Sequence, residues 1–134
     1  MLLKSYTDLE QSKKLAEILP IDSADMAWCN NSIRGVNYTD PFSANLHTVK
    51  EMREAFDMAL RGWDKYWELI PCWSLAALLS VIREAIGYTI YGVNNVYMSC
   101  DLGDKPWKLE TEVYDNEVDA CVDMIIKLHE LNLL

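Results

Sequence analysis

The feature that most constrains this chain is Ile70–Ile82, a stretch of thirteen uncharged and mostly apolar residues. It is too short to cross a bilayer, which takes about 20 apolar residues, yet it is apolar on more than one face. Pro71 cannot continue a preceding helix and Ser74 can cap a new one, so we expect a buried core helix over 74–86. Gly87 is a natural C-terminal stop for it. The sequence therefore predicts that the other elements pack around this helix.

The composition favours one acidic domain. The chain has 134 residues, of which 51% are hydrophobic, and this length suffices to bury a core without a metal or disulfide. We therefore expect a single domain over 1–134. The 21 acidic and 12 basic residues give a formal net charge of −9, which argues against binding to nucleic-acid phosphate or anionic lipid. Nine of the acids and only three lysines lie from Asp101 onward, which predicts an acidic C-terminal surface.

Two features predict a cytoplasmic protein. The first residues lack the pattern of a signal peptide, and no stretch is long enough for a transmembrane helix.

The four cysteines are far apart and contain no Cys-x-x-Cys pair; they are Cys29, Cys72, Cys100 and Cys121. We interpret them as buried, reduced thiols rather than as disulfides or zinc ligands.

Three further segments have helical patterns and are expected to form helices: 7–19, 48–61 or beyond, and 116–131. Capping-box patterns begin at Thr7 and at Thr48, and Asn116 can cap the last helix. The apolar residues of the last helix form a core stripe, namely Val118, Cys121, Val122, Ile125 and Leu128.

The segment after the first helix is expected to be mostly irregular. Ile21–Trp28 contains residues that can cap a helix, and we interpret it as a short helical turn. Residues 29–45 are rich in Asn, Ser, Gly, Thr and Pro without sustained periodicity, which predicts a long surface loop. Such long loops are uncommon unless they are functional or disordered.

After the core helix the hydrophobic period changes to two. Tyr88–Val93 and Val96–Leu102 are rich in β-branched and aromatic residues, and Asn94-Asn95 suits a two-residue hairpin turn. That turn would place two sets of side chains on one face: Thr89, Tyr91 and Val93 with Val96, Met98 and Cys100. Ser99 and Asp101 would lie on the opposite face and meet water.

The next segment completes the predicted sheet. Trp107–Val113 alternates apolar and charged residues, which indicates a third strand. Three strands with one wet face need a helical layer on the other face. We therefore predict a single α+β domain in which helices pack on one face of a three-stranded antiparallel meander, in the order α-α-α-β-β-β-α.

No catalytic, metal-binding or cofactor-binding residue is predicted. His47 and His129 have no second ligand at metal spacing, and the sequence contains neither a Gly-x-Ser-x-Gly turn nor a glycine-rich phosphate loop. Asp115–Asp119 superficially resembles the start of a calcium loop, but Ala120 stands where that loop needs glycine. A helix cap explains the same acids.

Five residues are the candidates for binding a partner. Trp63, Tyr66 and Trp67 interleave with charges before the core helix, and aromatic residues dominate interaction hot spots. The alternative is that they cover the core. Glu110 and Glu112 would share one face of the third strand, as a carboxylate pair for acid/base work might. We favour the other interpretation, a solvated strand face whose charges protect an exposed edge from aggregation.

Two blocks of the sequence, Ile70–Leu79 and Val118–Leu134, also resemble a known group. They are similar to a family of small uncharacterised proteins from gut-bacterial genomes and their phages or mobile elements. Together with Thr7–Met26 the resemblance covers under half of the chain, and residues 28–69 look like a variable insertion. The resemblance implies no activity, cofactor or site residue.

The core pattern and the lack of catalytic motifs predict a non-enzymatic cytoplasmic accessory or interaction protein. Its partner would be another protein or a second copy of itself, and neither nucleic acid nor a membrane is expected. One alternative is a small-molecule-binding domain or small enzyme with a pocket near the Trp-rich segment. Another is an acidic mimic of nucleic acid that binds a basic protein.

Overall fold

The chain forms two compact units, of which one is Asp8–Trp73 and the other combines Met1–Thr7 with Ser74–Leu134. A computed structural model describes residues 4–31, 42–43, 54, 67–85, 87–103, 105 and 107–134. Both units combine helix and antiparallel sheet, so the α+β class is confirmed. The single domain predicted from the sequence stays a prediction.

The first unit, Asp8–Trp73, contains a helix, a 3-10 turn and three described strands. In chain order these are α1 (Leu9–Ala16), the turn Ile21–Ser23, β1 (Met26–Asn31), β2 (Phe42–Ser43) and β3 (Trp67–Cys72). The strands form an antiparallel sheet in the order β2-β1-β3, and α1 packs against β3. β1 pairs with β3 over its full length, from Met26 opposite Cys72 to Asn31 opposite Trp67.

Two buried tryptophans anchor this unit. The indole Nε1–H of Trp28 donates to Ser12 Oγ at 3.1 Å, and that of Trp73 donates to Ser23 Oγ at 3.0 Å. A buried indole N–H without an acceptor would lose a hydrogen bond that water supplies in the unfolded chain. The two serines therefore help to fix α1 and the 3-10 turn against the sheet.

The second unit, Met1–Thr7 with Ser74–Leu134, has two helices and a three-stranded meander among its described residues. The elements are α2 (Leu75–Ala85), β4 (Tyr88–Tyr91), β5 (Tyr97–Asp101), β6 (Lys108–Glu110) and α3 (Glu117–Glu130). The sheet order is β4-β5-β6, α2 packs against α3, and α3 contacts the central strand β5. The N-terminal segment joins this unit because Leu75 N donates to Ser5 O at 3.0 Å. No helix in the described ranges is long and apolar enough to cross a membrane.

The core helix predicted around Ile70–Ile82 is α2, but it takes up only part of that stretch. Ser74 Oγ accepts from Ala77 N at 3.2 Å, as expected for the cap, and Leu78 and Ile82 are fully buried. The first residues of the stretch instead end β3, with Pro71 opposite Ala27. β3 has one paired neighbour among the described strands, so Pro71 occupies an edge strand, where the missing N–H is tolerated.

The predicted order α-α-α-β-β-β-α with a single sheet is wrong. Three strands lie between α1 and α2 among the described residues, and they form a second sheet. Leu69–Cys72 are buried in succession rather than alternately, and a short apolar run without alternation does not reveal a strand. β1 pairs with β3 across more than thirty intervening residues, which no local pattern can show.

Two other predicted segments, the loop over 29–45 and the helix over 48–61, lie only partly within the described residues. Cys29–Asn31 and Phe42–Ser43, within the expected loop over 29–45, belong to β1 and β2. The rest of that loop, and the helix predicted over 48–61 apart from Glu54, lie outside the described residues. The short helical turn is a 3-10 turn over Ile21–Ser23, after which the chain enters β1.

The hairpin of β4 and β5 is shifted by one residue from its predicted register. Tyr91 pairs with Tyr97 and Ile90 with Met98, so the connection is five residues long rather than two. Gly92 has φ 95°, whereas Asn94 is not among the described residues with positive φ. The left-handed residue that turns the chain is therefore glycine. A one-residue shift exchanges the two faces of a strand, which puts the predicted face assignment in error.

Candidate interaction face

The structure describes the side chains of only two of the five predicted partner residues. Trp63 and Tyr66 lie outside the described residues, and Trp67 begins β3, with its side chain also outside what the structure describes. Glu110 ends β6 with an exposed side chain. Glu112 is also exposed, but it lies beyond the end of β6. Of the five, only the two glutamates can be placed on a surface.

The observed strand register creates a polar and aromatic face on the second unit. Residues directly opposite each other in an antiparallel sheet project to the same side, and alternate residues along a strand do the same. We call the resulting set the outer sheet face: Thr89, Tyr91, Tyr97, Ser99, Asp101, Lys108 and Glu110. The opposite side of the sheet carries Met98 and Cys100, which are fully buried.

Two stacked tyrosines occupy one end of the outer sheet face. Tyr91 and Tyr97 are a directly opposed pair, their ring centroids are 5.0 Å apart, and their planes differ by 20°. Tyr91 is 40% exposed. The pair stabilises the hairpin as a cross-strand contact, and it also presents aromatic surface to solvent. Sequence reasoning missed it because the predicted register paired Tyr91 with Met98.

Ser99 lies at the centre of the outer sheet face and has an unsatisfied hydroxyl. It is paired with Thr89 on one side and with Glu110 on the other, and its residue exposure is 4%. Its Oγ has no hydrogen-bond partner in the part of the chain that the structure describes. Most buried polar groups are paired, because leaving one unpaired costs about 1–3 kcal/mol. The sequence prediction that Ser99 meets water is wrong.

Charged side chains complete the outer sheet face. Glu110 is exposed, and its carboxylate makes neither a hydrogen bond nor an ion pair with the described residues. Its backbone carbonyl accepts from Lys127 Nζ at 3.1 Å. At the far end, Asp101 stands opposite Lys108, and Asp101 Oδ1 accepts from Gly103 N at 3.0 Å. Glu110 is therefore the acidic group beside Ser99.

Apolar side chains are exposed where the hairpin turns. Val93, in the connection between β4 and β5, is 88% exposed, and Val113 is 61% exposed. Val113 lies at the same end of the sheet, because its neighbour Tyr114 bridges to Val96. Together with the tyrosine pair we call these side chains the hairpin-end patch: Tyr91, Val93, Tyr97 and Val113.

A bulge after β6 separates Glu112 from Glu110. Thr111 N donates to Met98 O at 2.9 Å, while Met98 N donates to the Thr111 hydroxyl, also at 2.9 Å, instead of to its carbonyl. The chain then gains one residue relative to β5 before Tyr114 pairs with Val96. Glu110 and Glu112 therefore do not continue one regular strand, as the carboxylate-pair interpretation assumed.

The acidic side of α3 holds the segment after β6. Asp123 Oδ2 accepts from Glu112 N and from the Tyr114 hydroxyl, each at 3.0 Å, and lies 3.6 Å from Lys127 Nζ. Burial, the hydrogen bond to Asp123 and neighbouring carboxylates raise the pKa of Tyr114 to about 12. These interactions connect α3 to the sheet, so this cluster has a structural role.

The segment that resembles a calcium loop is the N-cap of α3. Asn116 Oδ1 accepts from Asp119 N at 2.8 Å, and Asn116 Nδ2 donates to Asp115 and to the Asp119 carboxylate at the same distance. Lys4 Nζ contacts Asp119 at 2.7 Å. Over the described ranges, no group of three His, Cys, Asp or Glu side chains is arranged to hold a metal ion.

Three cysteines are buried, as predicted: Cys72, Cys100 and Cys121. Burial raises the pKa of Cys100 to about 11 and that of Cys121 to about 12. Because the thiolate is the reactive form of cysteine, these two side chains are inert core residues near neutral pH. The side chain of Cys29 lies outside the described part of the structure.

Comparison with family models, with curated proteins and with solved structures found no match. The resemblance to small bacterial and phage proteins therefore stays a prediction. The candidate site rests on the geometry of the outer sheet face and the hairpin-end patch.

Proposed function

We propose that this chain is a non-enzymatic cytoplasmic interaction protein that binds another protein through the hairpin-end patch. The observation that carries the proposal is the exposure of Val93, Val113 and Tyr91 at one end of the β4-β5-β6 sheet. Single exposed apolar residues are ordinary, but a group of them bordered by polar residues is typical of interaction sites. Aromatic residues such as the stacked tyrosines also supply much of the binding energy at interfaces.

The net charge of the chain supports a protein as its partner, and its cysteines support a cytoplasmic location. A net charge of −9 disfavours nucleic acid and anionic membranes as partners. Cys72, Cys100 and Cys121 are buried and form no disulfide, as expected for a protein in a reducing compartment, where disulfides are rare.

The experiment compares two substitutions that place the same charge at different exposed apolar sites. Val93→Asp puts a carboxylate in the hairpin-end patch, and Leu134→Asp puts one at the C terminus, where Leu134 is 40% exposed. Neither side chain belongs to the buried core, so both variants should fold. The wild type and both variants, each carrying an affinity tag, are used to isolate bound proteins from cells that carry the gene.

The proposal predicts a protein that copurifies with the wild type and with Leu134→Asp but is depleted from Val93→Asp. Light scattering of the purified chain tests self-association, and a dimer that Val93→Asp dissociates would identify a second copy as the partner. Equal recovery of all bound proteins by the three forms, with every form monomeric, would contradict the proposal.

A further inference from the structure

We propose that the outer sheet face binds cationic side chains, arginine above all, of a basic protein partner. The site lies between the Tyr91–Tyr97 pair and Glu110, with the hydroxyl of Ser99 at its centre. This inference rests on the proposed interaction function and adds to it the chemistry of the partner.

The unsatisfied hydroxyl of Ser99 is the first support. The residue is 96% buried and its Oγ has no partner among the described residues. A hydroxyl oxygen can accept a hydrogen bond from a guanidinium or ammonium N–H. The flanking side chains of Thr89 and Glu110 are exposed, so they can move to let a ligand reach it.

Charge complementarity is the second support. The Glu110 carboxylate is exposed and makes no ion pair within the described residues. It lies in a segment, 74–134, that contains ten acidic and four basic residues. A negative surface of this kind attracts cations over long distances and repels like charges. A carboxylate accepts two parallel N–H bonds from a guanidinium, which favours arginine over lysine.

The tyrosine pair is the third support. Tyr91 and Tyr97 are stacked with centroids 5.0 Å apart, and one of them is 40% exposed. The electron-rich face of an aromatic ring attracts cations, and a planar guanidinium can stack on it. Aromatic surface, together with a carboxylate and a hydroxyl that have no partner among the described residues, therefore lies on one side of one small sheet.

A basic partner fits these observations better than a second copy or a nucleic acid. A second copy would bring another nine net negative charges to an acidic surface, and the phosphates of nucleic acid would be repelled in the same way. Both remain as outcomes of the test.

The test uses the full chain and a capped peptide that alternates arginine with glycine. Binding is followed by backbone amide and tyrosine ring NMR signals at low ionic strength, with a glutamate–glycine peptide and a short RNA as comparison ligands. Glu110→Gln is compared with Glu130→Gln, which removes the same charge from an exposed position at the end of α3. Ser99→Ala is measured for both peptide affinity and thermal stability.

The proposal predicts that the arginine peptide shifts the signals of Tyr91, Tyr97, Ser99 and Glu110 most. Glu110→Gln should weaken binding by up to about fivefold, the range for an exposed ion pair, whereas Glu130→Gln should not. Ser99→Ala should weaken binding while raising the melting temperature, a combination that a purely structural serine would not show.

The proposal would be overturned by no shift on this face, by equal losses from the two glutamate variants, or by tighter binding of RNA or of the glutamate peptide. Concentration-dependent shifts without peptide would indicate self-association of this face and would also overturn it. If Val93→Asp still loses a protein partner in any of these cases, the interaction function stands and only the partner chemistry fails.

Discussion

Gly92 and Gly103 both adopt positive φ, at 95° and 75°, but their surroundings differ. A Cβ added at Gly92 would lie 2.0 Å from the backbone oxygen of Asn95, whereas a Cβ at Gly103 would meet nothing within 4 Å. The backbone of Asn95 cannot move aside as a flexible side chain could. Gly92 therefore determines both the conformation of the hairpin connection and its close packing.

Gly92→Ala should lower the free energy of unfolding by about 2–4 kcal/mol, because backbone strain adds to a steric clash. Gly103→Ala is the matched control and should cost only about 1–2 kcal/mol, the penalty of the left-handed conformation alone. Urea unfolding of both variants measures the difference. Equal losses would show that the contact with Asn95 does not restrict the hairpin.

The side-chain hydroxyl of Thr111 takes the place of a backbone acceptor next to β5. Its hydroxyl accepts from Met98 N and donates to Glu112 O at 2.8 Å, and the residue is 8% exposed. Thr111→Val keeps the shape but leaves the Met98 N–H without its acceptor, so it should lower the free energy of unfolding by about 1–3 kcal/mol.

Thr111→Ser keeps the hydroxyl and should retain most of this stability. Hydrogen exchange at the Met98 amide gives a direct readout, since the valine variant alone should exchange faster. Similar protection of Met98 in both variants would mean that the hydroxyl does not replace the carbonyl as acceptor.

Among the helices, α3 has an asparagine that ends it at each terminus. Asn116 caps its N terminus through Asp119 N. At the other end Asn132 has φ 58°, its N–H donates to His129 O at 3.0 Å, and Leu133 N donates to Leu128 O at 2.9 Å. This pair of bonds is the Schellman motif, in which glycine is the preferred left-handed residue.

Asn132→Gly should therefore leave stability unchanged or raise it by up to about 1 kcal/mol, and Asn132→Ala should lower it by about 1 kcal/mol. Asn94→Gly is the control, since Asn94 is not among the residues with positive φ and gains nothing from glycine. Thermal unfolding followed by circular dichroism compares the three. A loss with Asn132→Gly comparable to the alanine variant would contradict the assigned cap.

The helices could be predicted from sequence where local signals are complete. The predicted core stripe of α3, from Val118 to Leu128, is buried throughout, and Ser74 caps α2 as expected. The first helix is Leu9–Ala16 rather than 7–19, and it begins later than predicted because Asp8, rather than Thr7, forms the capping box with Gln11. Such signals lie within four residues of each other, so a sequence pattern contains them.

The sheets and the candidate site could be predicted only in part. β1 and β3 need a partner distant in sequence, and β3 has no alternation to reveal it. The exposed Glu110 was identified among the candidate residues, but Ser99 and the tyrosine pair were not. Their position depends on a register that one residue of turn geometry decides. The left-handed conformation could belong to Gly92 or to either asparagine, and the sequence does not distinguish them.

The stability of the protein should depend on pH in the alkaline range, because three groups of the second unit release their protons there. The pKa values of Cys100, Cys121 and Tyr114 are raised from 9.0, 9.0 and 10.0 to about 11, 12 and 12. The folded chain therefore holds these protons more tightly than the unfolded chain. The stabilisation that these groups give the folded chain is fully present below pH 9 and decreases as the pH rises toward 12.

The free energy of unfolding should accordingly fall as the pH rises above about 9. Urea titrations at a series of alkaline pH values measure the slope. Cys121→Ala removes one of the titrating groups, so its slope should be shallower, although the cavity lowers its whole curve. A free energy that is constant or rises over this range would contradict the burial of these groups.

The proposed function is the binding of a basic protein at the hairpin-end patch and the outer sheet face of the meander. Site-specific photo-cross-linking tests it most directly, with a photoreactive amino acid in place of Val93 or, as a control, of Glu130 on the exposed end of α3. We expect a cross-linked adduct from position 93, none from position 130, and an attached protein rich in arginine and lysine. Adducts that form equally from both positions, or from position 130 alone, would contradict it.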